Sequence, residues 1–256
     1  MATYKKRGYK PSNKDEEKKH VEEESTTAEV FNSLDEGAGR TETWVAENQK
    51  YIYIIVGVAI IAVLGYLGYE RFVQEPREAE AANEMAQAQS YFSRALNSTG
   101  AQSDSLYTMS LNGGEGKYGF AEIIENYSGT AAANIAKYHA GFASLRTGSY
   151  QEAIGYLEDY NADDQITVAL AKGGIGDAFM QLNQPEEALD YYAEAASMRS
   201  NSFTTPKFLL KAAITALELN QAEDAEEFLN RIKEEYPDTP EADQVAIHMG
   251  RAQAMK

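Results

Sequence analysis

Three stretches decide the fold: Gly148-Ser149-Tyr150-Gln151-Glu152-Ala153-Ile154, Gln184-Pro185-Glu186-Glu187-Ala188-Leu189 and Ala222-Glu223-Asp224-Ala225-Glu226. Each opens a helix on a small residue, and these residues, Ala153, Ala188 and Ala225, stand 35 and 37 positions apart. Twelve positions upstream of each is another small residue: Gly141, Gly176 and Ala213. Self-similarity at this period marks a repeat in which one helical hairpin buries its apolar face only by stacking on the next. The paired small residues predict close contact of the two helices in each hairpin. Large residues then fill the layers between hairpins: Phe142 and Leu157, Phe179 and Tyr192, Leu217 and Leu229.

Local signals punctuate the same units. Gly148 reads as a helix stop, and Ser149 with Glu152 as a capping box for the next helix. Pro185, Pro206 and Pro240 read as first helical residues, the last two behind Thr205 and Thr239 as N-caps. A degenerate unit precedes the three: Tyr118-Gly119-Phe120-Ala121 matches the run from Tyr150 to Ala153. Asn126-Tyr127-Ser128-Gly129-Thr130-Ala131 likewise matches Glu235-Tyr236-Pro237-Asp238-Thr239-Pro240. The first helix of that unit is expected over Glu75 to Asn97, followed by a loop over 98–117. Residues 238–255 are expected to close the array as a terminal helix. The whole resembles the tetratricopeptide repeat, a helix–turn–helix unit of about 34 residues. Pro237 stands where that family places its proline, whereas Lys137, Lys172 and Leu209 occupy its tryptophan-like position. The implied fold is all-α: a single transmembrane helix followed by an α-solenoid of degenerate repeats over 75–256.

The transmembrane reading rests on residues 51–69, which contain no charge. Nineteen helical residues reach about 28 Å, close to the ~30 Å hydrocarbon core. Phe72 and Val73 extend the span to 51–73, and Trp44, Tyr51, Tyr53, Tyr66 and Tyr69 supply interfacial aromatics. Of the fifty residues on either side, the N-terminal set holds 9 Lys and Arg and the C-terminal set 3. That asymmetry predicts a cytoplasmic N-terminus and an exported C-terminal domain. Ala59, Ala62 and Gly65 form a small-residue face on which another membrane helix could dock. Residues 1–24 are expected to be a disordered charged tail. Residues 25–50 are expected to form a short amphipathic juxtamembrane segment, with a capping box at Thr26 to Glu29 and a stop at Gly37 and Gly39.

Composition narrows the chemistry. With 23 basic and 40 acidic residues the net charge is −17, which argues against nucleic-acid binding. The absence of cysteine removes disulfides, thiolate metal sites and thiol nucleophiles. His20, His139 and His248 stand apart and suggest no metal pair or catalytic constellation. Gly173-Gly174-Ile175-Gly176 lacks the strand and the Lys-Ser/Thr of a phosphate loop. Asp163-Asp164 and the acids between Glu223 and Glu227 lack metal-site spacing and read as solvated charge. Asp104-Ser105-Leu106 matches the Asp-Ser/Thr-apolar acceptor of a bacterial O-glycosylation system, which makes Ser105 a candidate modification site in the 98–117 loop. No catalytic residue, cofactor, metal or small-molecule substrate is expected, and the chain reads as a non-enzyme.

One span followed by a degenerate repeat array resembles the ancillary SecYEG translocon subunit family, in the version found in Bacteroidota. The likeness is carried by Lys50 to Tyr69, Lys137-Tyr138-His139-Ala140-Gly141, Gly176-Asp177-Ala178, Asn201 to Pro206 and Glu235-Tyr236-Pro237. It implies a bacterial inner-membrane protein, N-terminus cytoplasmic and repeat domain periplasmic. Its implied partners are the SecYEG translocon and periplasmic chaperones. An envelope-assembly or cell-division adapter is the alternative, and an enzyme ranks behind both.

In such arrays the first helix of each hairpin lines the concave side. By register that face carries Tyr138, Phe142 and Leu145 from one repeat and Asp177, Met180 and Gln181 from the next. The third contributes Leu210, Ile214, Leu217 and Glu218. Phe142 and Leu217 read mainly as core, Tyr138, Met180 and Asp177 as groove. The expectation is an apolar groove edged with acids that takes an extended or helical peptide segment.

Overall fold

The computed structural model describes residues 43–256, which divide into two units after Tyr69. The tail at 1–24 and the expected capped helix between Thr26 and Gly39 lie outside the described residues. The first unit is one helix, α1, over 43–69. Its apolar window has a mean hydropathy of 2.3 with no residue buried, so it is long and apolar enough to cross a membrane. Ala59, Ala62 and Gly65 are exposed along it, and a Cβ on Gly65 would meet no atom within 4 Å.

The second unit begins with a π-helical turn, Glu70–Gln74, and continues into α2, Glu75–Leu96. Pro76 sits in the first turn of α2, where a missing N–H costs nothing. Ala81, Met85, Ala88, Tyr91 and Ala95 recur at spacings of three and four and form its buried stripe. The segment expected as a loop, 98–117, is instead mostly helix: α3 spans Ala101–Asn112 and buries Leu106, Tyr107, Ser110 and Leu111. A tight turn follows, with Gly114 and Lys117 exchanging backbone hydrogen bonds of 3.2 and 3.0 Å. Gly113 takes φ +84° there, and a Cβ on it would lie 2.4 Å from the Lys117 carbonyl oxygen, so only glycine fits.

Short α4, Phe120–Asn126, leads to α5, Ala131–Thr147. Three hairpins follow in register: α5 with α6 (Tyr150–Glu158), α7 (Gln165–Gln181) with α8 (Pro185–Ser197), and α9 (Thr205–Glu218) with α10 (Ala222–Glu235). The closing helix α11, Ala242–Ala254, packs on α10 and α9. Each helix packs on its sequence neighbours, and α5 also touches α2, α3 and α7. This is an α-helical solenoid, with no strand among the described residues. Its cores are small and alanine-rich: Ala132, Ala133, Ala136, Ala140 and Ala143 of α5 alone are buried.

Several expected caps form and others do not. Gly148 takes φ +81° and lets the Ser149 N–H reach the Ser144 carbonyl at 2.9 Å, the expected helix stop. Ser149 makes no side-chain cap bond, so the expected box with Glu152 is absent. Pro185 is the first residue of α8. Helix α9 starts at Thr205, one residue before Pro206, behind an Asn201 network. The Asn201 Oδ1 accepts from the Phe203 and Thr204 N–H groups at 2.9 and 2.8 Å. Pro240 lies two residues outside α11, and Thr239 donates its hydroxyl to the Tyr236 carbonyl, 2.9 Å away, rather than capping that helix. Thr130 makes the same bond to Tyr127 at 2.7 Å, so the two segments matched in sequence share this turn, although Thr130 also caps α5 directly and Thr239 does not cap α11.

The run Gly173-Gly174-Ile175-Gly176 lies inside α7 and serves packing in three directions. A Cβ on Gly173 would fall 1.9 Å from the Phe208 ring of the following hairpin. One on Gly174 would meet Leu157 and Phe142 of the preceding hairpin, and one on Gly176 the Tyr192 ring of its own. The nearest atoms to a Cβ on Gly176 belong to Tyr192, one turn beyond Ala188, which is itself fully buried on the same stripe of α8. Leu157 is likewise seated over Gly141 in its own hairpin, as well as between hairpins.

Candidate partner-binding groove

The first helices of the hairpins, α5, α7 and α9, present one side to an open concavity of about 480 Å³. Of the residues placed there by register, Phe142, Leu145, Asp177, Met180 and Gln181 line it. Tyr138 and Phe142 line an adjoining cleft of about 330 Å³ with Phe92, Tyr107 and His139. Leu210 and Leu217 do not reach the surface: they are 7% and 2% exposed, packed in the cores around α9. Both lie on the side of α9 that meets its neighbours, so register placed Leu210 one face too far round, whereas Leu217 is core, as it mainly reads in sequence. Ile214 is half-buried against the same core, and Glu218 is exposed outside the concavity.

The charge of the lining differs from expectation. Its one acid, Asp177, faces three cations, Arg146, Lys207 and Lys211. Asp177 accepts a hydrogen bond of 2.6 Å from the Tyr192 hydroxyl and pairs with Lys211. The Lys211 ammonium also lies 5.2 Å from the centre of the Tyr192 ring. Burial, and then the Asp177 charge, push the Tyr192 phenol far above its ordinary range, so it stays a donor. Arg146 and Lys207 form no ion pair with any described residue. Tyr150 donates to the Gln181 amide oxygen at 3.3 Å and closes the α6 side of the concavity.

These cations were legible. Lys207, Lys211, Ile214 and Glu218 follow one another at spacings of four, three and four, a single stripe of α9. Extending that stripe back from Ile214 reaches both lysines. Arg146 is one turn beyond Phe142 on α5 and shares its side of the helix.

The adjoining cleft is aromatic. The Tyr138 ring centre lies 4.8 Å from that of Phe142 and 5.1 Å from that of Tyr160. Burial, with smaller effects from Tyr160 and Asp164, pushes its phenol up to about 12. His139 stacks on Phe120 at 5.4 Å and meets Phe92 edge-on at 4.9 Å. Burial lowers its pKa, and its Nδ1 has no hydrogen-bond partner, so the ring is held neutral as an apolar wall.

Acids that suggested chemistry have structural work. Asp164 caps α7 by accepting from the N–H groups of Ile166 and Thr167 at 3.1 and 3.3 Å, which depresses its pKa. Glu226 pairs with Lys256 at 2.8 Å. Among the described residues no group of three or more His, Asp or Glu could hold a metal ion. Ser105 is exposed, but on helix α3 rather than in a loop, with Leu106 buried beside it.

The family comparison agrees with this architecture over part of the chain. Residues 179–246 match the tetratricopeptide repeat family. No curated protein matches the chain. Among solved structures, the chain is similar to the TPR-like repeats of a kinesin light chain from Podosopora anserina. That likeness has 13% identity, 70% coverage of this chain, 87% of the other, and a TM-score of 0.47.

Proposed function

We propose that the chain is a single-pass membrane-anchored scaffold whose repeat domain binds protein segments beside an inner-membrane complex, namely the Sec translocon. The observation that carries the binding role is the concavity itself. Successive helices α5, α7 and α9 turn apolar, aromatic and charged side chains toward one open space, the arrangement a peptide segment needs. Helix α1 supplies an anchor, and the excess of N-terminal Lys and Arg favours export of the repeat domain. The Sec assignment rests on the family resemblance of the sequence.

Affinity capture of the full chain from cross-linked native membranes, followed by mass spectrometry, tests this reading. Translocon subunits are expected to be enriched over a control bearing α1 alone. Recovery confined to cell-division or envelope-assembly proteins would replace the Sec role by the adapter role. A reporter active only outside the cytoplasm, fused after Lys256, is expected to be active; a well-expressed but inactive fusion would reverse the topology.

A further inference from the structure

Arg146 stands where three cavities of the repeat domain adjoin. It lines the concavity over α7 and α9, the aromatic cleft against α2 and α3, and a third space bordered by Leu96, Gly100 and Asp104. Its guanidinium is exposed and forms no ion pair among the described residues, although acids outnumber bases 40 to 23 in the chain. The two carboxylates that share cavities with it do not neutralise it. Asp177 is engaged by Tyr192 and Lys211, and Asp104 forms no ion pair with it. An exposed cation left open in a surplus of carboxylates, at the centre of a concave surface, is a recognition element for an anion brought by a partner.

Geometry adds a second requirement. Phe142 and Arg146 are four residues apart on α5, so their side chains emerge about 6 Å from each other. Phe142 belongs to the aromatic cleft, which Phe92, Leu96, Tyr107, Tyr138 and Leu170 also line. In an extended peptide, residues i and i+2 project to the same side about 6.6–7 Å apart. We propose that the groove recognises a partner segment carrying a carboxylate two residues from an aromatic or large aliphatic side chain. The carboxylate meets Arg146 as a charge-assisted pair, and the apolar side chain enters the cleft between Phe92, Tyr138 and Phe142. Lys207, exposed and without an ion pair among the described residues, its ammonium 5.6 Å from the centre of the Phe208 ring, extends the tolerance for acids toward α9. This deepens the scaffold reading, on which it rests, by naming the chemistry of the bound segment.

The test is selection from a displayed library of random twelve-residue peptides on the full chain in nanodiscs, with empty nanodiscs as the subtractive control. Enriched peptides are expected to share Asp or Glu at two-residue spacing from Phe, Tyr, Trp or Leu. By fluorescence anisotropy, Arg146→Gln should weaken them about tenfold or more. Alanine at the peptide's apolar position should do the same, and Arg146→Lys should retain part of the affinity. No enrichment, enriched peptides without an acid, or equal binding to Arg146→Gln would overturn the proposal. Arg146-dependent binding to phosphatidylglycerol vesicles without peptide enrichment would overturn it in favour of a lipid surface. Membrane capture with Arg146→Gln separates the two failures. Undiminished partner recovery by this variant defeats the acid–aromatic inference and leaves the scaffold standing, whereas no partner with the unaltered chain defeats the scaffold.

Discussion

Gly173 and Gly155 both occupy helices, and the same substitution is expected to act on them in opposite directions. Alanine in a helix interior is favoured over glycine by about 0.5–1 kcal/mol. At Gly155 in α6 a Cβ meets nothing within 4 Å, so Gly155→Ala should raise the melting temperature. At Gly173 the Cβ would fall 1.9 Å from the Phe208 ring, which is only 2% exposed and has nowhere to move. Overpacking of that kind costs about 1–3 kcal/mol and outweighs the helix gain, so Gly173→Ala should melt lower. Thermal unfolding followed by circular dichroism decides both; a stabilised Gly173→Ala would mean that Phe208 does not seat there. His139 makes a prediction in pH. Burial lowers its folded pKa, so below the ordinary value of about 6.5 the unfolded chain binds the proton that the folded one refuses. The stability contributed by the neutral ring is full above that value and declines as pH falls toward the folded pKa. Between pH 7 and pH 5 the melting temperature of the unaltered chain should therefore drop more steeply than that of His139→Phe. Parallel slopes would place the imidazole in solvent.

At the scale of elements, Glu78 on α2 caps a helix 53 residues away. Its carboxylate accepts the N–H groups of Ala131 and Ala132 at 2.7 and 2.8 Å, and Thr130 Oγ1 takes that of Ala133 at 3.0 Å. The first three N–H groups of α5 are thus satisfied, and a negative charge sits at the positive end of its dipole. Glu78→Ala should cost about 1 kcal/mol, roughly 2–4 °C in a domain of this size. An unchanged melting curve would show the cap to be replaced by water. Such a cap is invisible in sequence because its partner is remote, whereas the Gly148 stop is local and readable. Helix α3 was hidden for a related reason. Ser103, Asp104, Ser105, Thr108, Ser110 and Asn112 are indifferent helix formers, and its N-cap is Gly100 at φ +61°, not a Ser, Thr or Asp. Tertiary contact supplies what local preference lacks, through Leu106, Tyr107 and Leu111 packed on α2 and α5. The three hairpins needed no such help, since Ala153, Ala188 and Ala225 are each fully buried at the spacing that announces them.

For the whole molecule the open question is which surface holds the partner, the concavity or the membrane helix. The repeat period already dictates that α5, α7 and α9 share a side, and Tyr138 and Met180 on that side could be read from register alone. The cations beside them were missed because a search for an apolar groove passes over lysine and arginine. The rival surface is the exposed Ala59, Ala62 and Gly65 face of α1, where a second helix backbone could come close. Two variants of the full chain separate them: Tyr138→Ala with Met180→Ala, and replacement of 51–69 by an unrelated apolar span. Tyr138 and Met180 are half-buried against core clusters, so the double change also costs stability, of order 2–5 kcal/mol. Capture is therefore compared at a temperature where circular dichroism shows both variants folded. A rigid aromatic and a flexible thioether are the kind of side chains on which binding energy concentrates. The groove double variant should lose most partner recovery, at least tenfold, while the span replacement retains it. If the replacement abolishes recovery and the folded double variant captures normally, the receptor is α1, and the concavity has some other use.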